Sequence, residues 1–182
     1  MPAETAPQER VWMAFPCEGY SLGDTDEARH EARSAWAAVA HAVAEFEPVT
    51  MVVDPAEHAV AQRYLSTDVD VVEAPLNDAW MRDMGPTFVH ADDGSVNAVD
   101  WVFNGWGAQD WAEWDRDAQV ASHVAELAGA PIVASAMVNE GGGFQVDGEG
   151  TVLVTETVQL DPGRNPGPVS YTHLTLPTNR EV

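Results

Sequence analysis

With 182 residues the chain can bury a full hydrophobic core, as one domain or as part of a larger one. It carries 30 Asp and Glu against 8 basic residues, a formal charge of −22, and every basic residue is Arg. Nucleic acid is therefore not an expected partner, since affinity for phosphates rests on Lys and Arg, whereas a cationic ligand and a salt-rich or acidic host both fit.

Residues 1–10 are polar and contain no apolar signal core. Nowhere do apolar residues run to the roughly 18 of a membrane span, so the expected location is cytoplasmic, with no membrane partner. Residues 10–15, Arg-Val-Trp-Met-Ala-Phe, form a short apolar run ended by Pro16 and predict a buried strand. Residues 19–23 are a turn. Asp24 followed by Glu27 resembles a capping box with Asp24 as the cap. Beyond it Ala28, Ala32, Ala35, Trp36, Val39, Ala40, Val43 and Phe46 recur at helical spacing until Pro48. Residues 49–53 predict a β-branched strand, 55–65 a second helix with Pro in its first turn, and 69–73 another strand. Strands at 87–90 and 96–103 follow, joined through the hairpin dipeptide Asp93-Gly94. Past a glycine-rich break at 104–107, Trp114, Ala118, Ala121, Val124, Ala125 and Leu127 mark a third helix, and 131–134 the next strand. Residues 144–147 and 151–155 flank the turn Gly148-Glu149-Gly150. Two hairpins around one helix-and-strand unit point to an α/β chain with a repeated strand-strand-helix-strand module.

Four polar clusters fall at the ends of predicted strands, where α/β folds place functional groups: residues 77–83, 104–107, 139–140 with the glycines that follow, and 145–149. The first opens residues 77–87, Asn-Asp-Ala-Trp-Met-Arg-Asp-Met-Gly-Pro-Thr. There Asp83 offers a carboxylate and Trp80 a π face, the two surfaces a guanidinium requires. The simpler alternative is a solvated turn with a local Arg82–Asp83 pair. The glycines after Glu140 either let backbone approach a ligand or merely make a tight turn. Paired carboxylates also serve glycosidases, and Trp111 and Trp114 each stand beside an acid, but at the start of a predicted helix they read as packing residues. Cys17, the lone cysteine, excludes an internal disulfide and fits a reducing compartment. It lies beside Glu18, whose charge would raise a thiol pKa, and it reads as structural. The six histidines show no metal-ligand spacing, so no metal is expected.

Taken together, residues 11–16 (Val-Trp-Met-Ala-Phe-Pro), 77–87, 101–107 (Trp-Val-Phe-Asn-Gly-Trp-Gly), 140–142 (Glu-Gly-Gly), 146–151 (Val-Asp-Gly-Glu-Gly-Thr) and 161–166 resemble, in order, motifs of the agmatine deiminase family. That family is grouped with bacterial-type peptidylarginine deiminases among the guanidino-group modifying enzymes. The resemblance implies part of a five-bladed α/β propeller, or pentein, built of strand-strand-helix-strand modules. It also implies cofactor-free hydrolysis of agmatine to N-carbamoylputrescine and ammonia, on the way to putrescine and polyamines. In that chemistry a cysteine thiolate attacks the guanidinium carbon, a histidine protonates the departing ammonia, and water clears the thiouronium. By position, Asp83 resembles the aspartate that grips the guanidinium, Trp80 an aromatic wall of the pocket, and Glu140 the glutamate that orients the catalytic histidine. The implied partner is a small cationic guanidine, agmatine, with peptidyl-arginine as the alternative and homo-oligomerisation of the intact protein left open.

Two motifs of the family have no counterpart here: the segment ending Ile-His-Cys that carries the nucleophile, and a His-x-Asp beyond the glutamate. Gln145-Val146-Asp147 imitates the latter but sets Gln where a proton carrier is required. Residues 1–168 are thus expected to be the N-terminal part of a propeller, inactive alone and prone to aggregate through uncovered sheet edges. Residues 169–182 are expected to be an unstructured tail, either foreign to the protein or an ordinary flexible terminus. A cation-binding module without turnover is the remaining alternative from another class.

Overall fold

The computed structural model describes residues 1–166, so the tail expected at 169–182 lies outside the described residues. Strands β1 (Val11–Ala14), β2 (Val49–Val53) and β3 (Val69–Glu73) form a parallel sheet with β2 in the middle. All of Val-Thr-Met-Val-Val in β2 is buried, as a central strand covered on both faces must be. The helix Asp26–Ala44 makes the crossover from β1 to β2. Its cap is Thr25 rather than Asp24. From extended backbone, the Thr25 hydroxyl accepts the Ala28 N–H at 3.1 Å. Ala37 and Ala40 are its buried residues, small enough to let it sit close on the sheet. Phe46, expected on the apolar stripe, lies past the helix end and is 87% exposed, and Val39 is exposed too. The second predicted helix is shorter than expected. A 3-10 turn at Pro55–Glu57, capped by Asp54, runs into a single α-turn at His58–Ala61.

Strands β4 (Thr87–His90) and β5 (Val96–Val102) pair antiparallel, and Gly94 takes the φ of 83° that their turn demands. Strand β6 (Ile132–Val138) then lies parallel to β5. The connection is a 3-10 turn at Asp117–Gln119 and the helix Val120–Leu127, ended by Gly129 at φ 65°. This is one strand-strand-helix-strand module. Its helix begins at Val120 and not near Trp114, which instead packs from a loop against the core. Strands β7 (Phe144–Val146) and β8 (Val152–Val154) form a separate hairpin. The described residues thus build an α/β fold of three small sheets. Apolar surface is left uncovered at Ile132 and Val133 of β6 and at Leu153 of β8, which is 69% exposed. No helix among the described residues is long and apolar enough to cross a membrane.

The first sheet is tied to the second module by a reciprocal exchange. Asn77 Oδ1 accepts the N–H groups of Arg116 (2.8 Å) and Asp117 (3.1 Å), and Asp117 Oδ1 accepts those of Asn77 (2.8 Å) and Asp78 (3.4 Å). Asn77 Nδ2 adds a bond to Asp115 at 3.0 Å. Beneath the exchange one apolar cluster spans both units, with Ala14, Cys17, Val52, Leu76, Met84, Phe103, Val120 and Val124. Burial pushes the Cys17 thiol up to about 12, and the charges of Asp117, Asp78, Asp54 and Glu57 add to it. The raising charges come from across the fold rather than from neighbouring Glu18, and a thiol held so high supplies no thiolate.

Two outcomes follow from this exchange. Asn77→Ala strands the buried Asp117 N–H and the part-buried Arg116 N–H and should lower unfolding free energy by about 1–3 kcal/mol in urea titrations. Burial also pushes Asp117 up to about 6, against the opposing N–H groups of Asn77 and Asp78, and its Oδ2 has no hydrogen-bond partner among the described residues. The folded chain therefore holds this proton more tightly than the unfolded chain. The stabilisation is complete below about pH 4 and is lost as pH rises through about 6, by about 3 kcal/mol. Asp117→Asn keeps the accepting oxygen and removes the proton, so urea midpoints at pH 4 to 8 should show that loss in the native chain and not in the variant.

Candidate functional site

The short helix Met81–Met84 lies between β3 and β4, and Met84 anchors it in the core while Asp83 is half-buried. Two donors fix the Asp83 carboxylate: Trp106 Nε1–H reaches Oδ2 at 3.0 Å, and the Gly142 N–H reaches Oδ1 at 3.0 Å. A carboxylate has roughly four acceptor positions, so two stay available to a planar cation.

The Trp106 donor sits on left-handed backbone, and the Gly142 donor where a side chain would crowd the acid. Residues Gly105–Ala108 close a turn with Ala108 N–H on the Asn104 carbonyl at 2.8 Å, but φ is positive at Gly105, Trp106, Gly107 and Ala108 (64°, 59°, 92° and 54°). It is a left-handed turn, costly for Trp106 and Ala108 because each carries a Cβ. Asn104 Oδ1 caps it through the Gly107 N–H at 3.0 Å. The glycine run forms a 3-10 turn, Gly141–Gly143, pressed against the Met81–Met84 helix. A Cβ on Gly141 would stand 2.2 Å from the Arg82 carbonyl oxygen, and one on Gly142 2.6 Å from Asp83 Oδ1. The run makes a tight turn, the second of its two readings, though without the positive φ such a turn can require, and its missing side chains let it pack against Arg82 and Asp83.

Glu140, just before the run, is 3% exposed. Its Oε1 accepts from Arg164 Nη1, and its Oε2 is buried with no partner among the described residues. Burial raises the Glu140 carboxyl, Arg164 pulls it back down, and the negative charge of Asp83 pushes it up again. Trp80 does not hydrogen-bond the acid. It is 42% exposed and packs edge-on against Trp36, with ring centres 5.6 Å apart. The indole on Asp83 is that of Trp106, which stacks in turn on Trp111 at 5.4 Å. Trp111 is half exposed and outside any helix, so only Trp114 behaves as the packing residue expected of both.

Nor do Arg82 and Asp83 pair. Arg82 reaches Glu4 and donates from Nε to the Gly141 carbonyl at 3.1 Å. Three of the four sequence clusters converge here, while the fourth does not. Gln145 is exposed on β7, and Asp147 Oδ1 closes the hairpin turn through the N–H groups of Glu149 and Thr151. Cavities of about 390 and 430 Å³ lie nearby, the first lined by Trp12, Met81, Arg82 and Gly141, yet neither includes Asp83 or Glu140. No group of three or more metal-type ligands occurs among the described residues.

The sheets define an α/β protein containing one strand-strand-helix-strand module, with the Asp83 carboxylate held by two donors beside the buried Glu140. The family model described as Porphyromonas-type peptidyl-arginine deiminase matches residues 1–171, and the chain belongs to that family. It is 60% identical over 167 residues to a Streptomyces coelicolor protein whose name proposes an agmatine deiminase, covering 92% of this chain and 49% of the relative. It is 44% identical over 173 residues to the agmatine deiminase of Pseudomonas syringae pv. tomato, covering 91% and 46%. The solved agmatine deiminase of Enterococcus faecalis superposes with a TM-score of 0.82 at 39% identity, covering 91% and 46%. The chain thus spans about half the length of the relatives it matches.

Gly141→Ala forces a methyl into the Arg82 carbonyl and should cost about 1–3 kcal/mol of stability in thermal unfolding, with near-ultraviolet dichroism of the Trp106 region altered.

Proposed function

We propose that this chain supplies the cation-gripping acids of an agmatine deiminase, with Asp83 holding the guanidinium, Trp80 walling the pocket and Glu140 orienting a histidine. The observation that carries this reading is the Asp83 carboxylate, aligned by Trp106 and Gly142 with two acceptor positions unused among the described residues, beside a buried Glu140 whose Oε2 has no partner among them. A guanidinium matches such an acceptor with parallel N–H donors, and its charge offsets the repulsion between the two acids. Agmatine is favoured over peptidyl-arginine by the names of the similar proteins.

In the whole protein the reaction is hydrolysis of agmatine to N-carbamoylputrescine and ammonia. A cysteine thiolate attacks the guanidinium carbon, ammonia leaves with a proton from the histidine that Glu140 orients, and water releases the product from the thiouronium. Cys17, the one cysteine here, is buried with its thiol near 12 and does not fill that role. Residues 1–168 are the N-terminal share of a five-bladed propeller, with the module β4-β5-helix-β6 as one blade. By itself the chain binds the cation and does not turn it over.

Calorimetry of the purified chain should give saturable binding of agmatine, weakened about tenfold or more by Asp83→Asn, which removes the charge-assisted pairing. Ammonia release above a blank would overturn the absence of turnover. Binding that Asp83→Asn leaves intact would overturn the site.

A further inference from the structure

Arg164 touches both halves of the acid site at once. Its Nη1 donates to Glu140 Oε1, its Nη2 donates to the Trp106 carbonyl at 2.7 Å, and its Nε lies 3.9 Å from Asp161 Oδ2. The side chain is only 12% exposed. Its root is anchored, because the N–H groups of Arg164 and Asn165 both reach the Asp161 carbonyl, and Asn165 clamps Val138 at the end of β6 with bonds of 2.9 and 3.0 Å. A Cβ on Gly107 would come within 2.8 Å of Arg164 Nε, so the left-handed turn and the guanidinium are fitted to one another.

We propose that Arg164 is the positioning residue of this site, holding Glu140 by one oxygen while fixing, through the Trp106 carbonyl, the indole that aligns Asp83. The proposal rests on the guanidinium-site reading for its function. The planar fork can serve a carboxylate and a carbonyl in fixed directions at once, whereas an ammonium is a point charge with no such geometry. Arg164 engages Oε1 and leaves Oε2 without a partner among the described residues, open to a donor brought to it. Arg164 opposes the upward push that burial gives the Glu140 carboxyl, so losing the guanidinium favours the protonated form, in which an oxygen can donate.

The test is nuclear magnetic resonance on the whole 182-residue chain, following the Glu140 side-chain carboxyl carbon, assigned with Glu140→Gln, and the Trp106 indole N–H, assigned with Trp106→Phe. In Arg164→Met the Glu140 midpoint should rise by about one to three pH units and the Trp106 resonance should move. Arg164→Lys should restore most of the midpoint but leave the indole displaced. An unchanged Glu140 midpoint in folded Arg164→Met, or a lysine that restores both signals, overturns the proposal. If Arg164→Met does not fold, the lysine variant decides alone, since an indole resonance at its native position overturns the proposal and a displaced one supports it. Failure of the native chain to bind agmatine would sink the guanidinium reading while leaving these signals to judge Arg164 separately.

Discussion

The exchange of hydrogen bonds between Asn77 and Asp117 is what the rest of this structure hangs from. A chain leaving a parallel sheet has backbone N–H groups with no strand to pair with, and burying them unpaired is expensive. Here one oxygen from each of two short side chains accepts two such groups, and each side chain serves the other's backbone. Asp54 extends the pattern by accepting the Leu76 N–H at 3.0 Å. Gly19 packs so tightly on the Asn77 carbonyl that a Cβ would come within 2.2 Å. The segment carrying Trp80 and Asp83 therefore leaves the core in a set direction, although it belongs to no long element.

Electrostatics reinforces this division of labour. In a chain of charge −22, five arginines, Arg10, Arg33, Arg82, Arg116 and Arg164, pair with acids distant in sequence. Arg33 and Glu57 meet at 2.6 Å with both side chains largely covered, fastening the long helix to the turn after β2. The scarce cations thus act mainly as architecture, and the surplus of negative charge is left for something external to neutralise.

Much of the framework was legible in the sequence because hydrophobic patterning reports burial directly. Strands β1 to β5, the Asp93-Gly94 hairpin and the module around β6 follow from runs of Val, Met and Phe and from their punctuation. The fine points were decided elsewhere. Asp24 and Thr25 are both competent cap residues, and Thr25, whose backbone is extended and whose hydroxyl reaches the Ala28 N–H, is the one used. Trp114 has helical spacing but is held by Gly105, whose added Cβ would lie 2.3 Å from its ring. At the site, Asp83 and Glu140 stood out as acids beside turns, whereas Trp106 and Arg164, though inside the stretches 101–107 and 161–166, carried no sign of the roles they play. Trp106 reaches Asp83 only because its backbone is left-handed, for which the flanking Gly105 and Gly107 were the available hint. Arg164 acts across long stretches of chain, where no local pattern operates.

The left-handed turn means that the site is a property of the folded ensemble and not of its local chain. Trp106 and Ala108 together carry about 2–4 kcal/mol of conformational cost, so a free peptide of this sequence would visit the turn in about one molecule in a hundred. Only the clasp of Asn104, Arg164 and Asp83 on that backbone and indole makes it the dominant state. The carboxylate is therefore aimed only while these distant contacts persist together, and any local opening near residues 104–108 would blur recognition well before the sheets come apart.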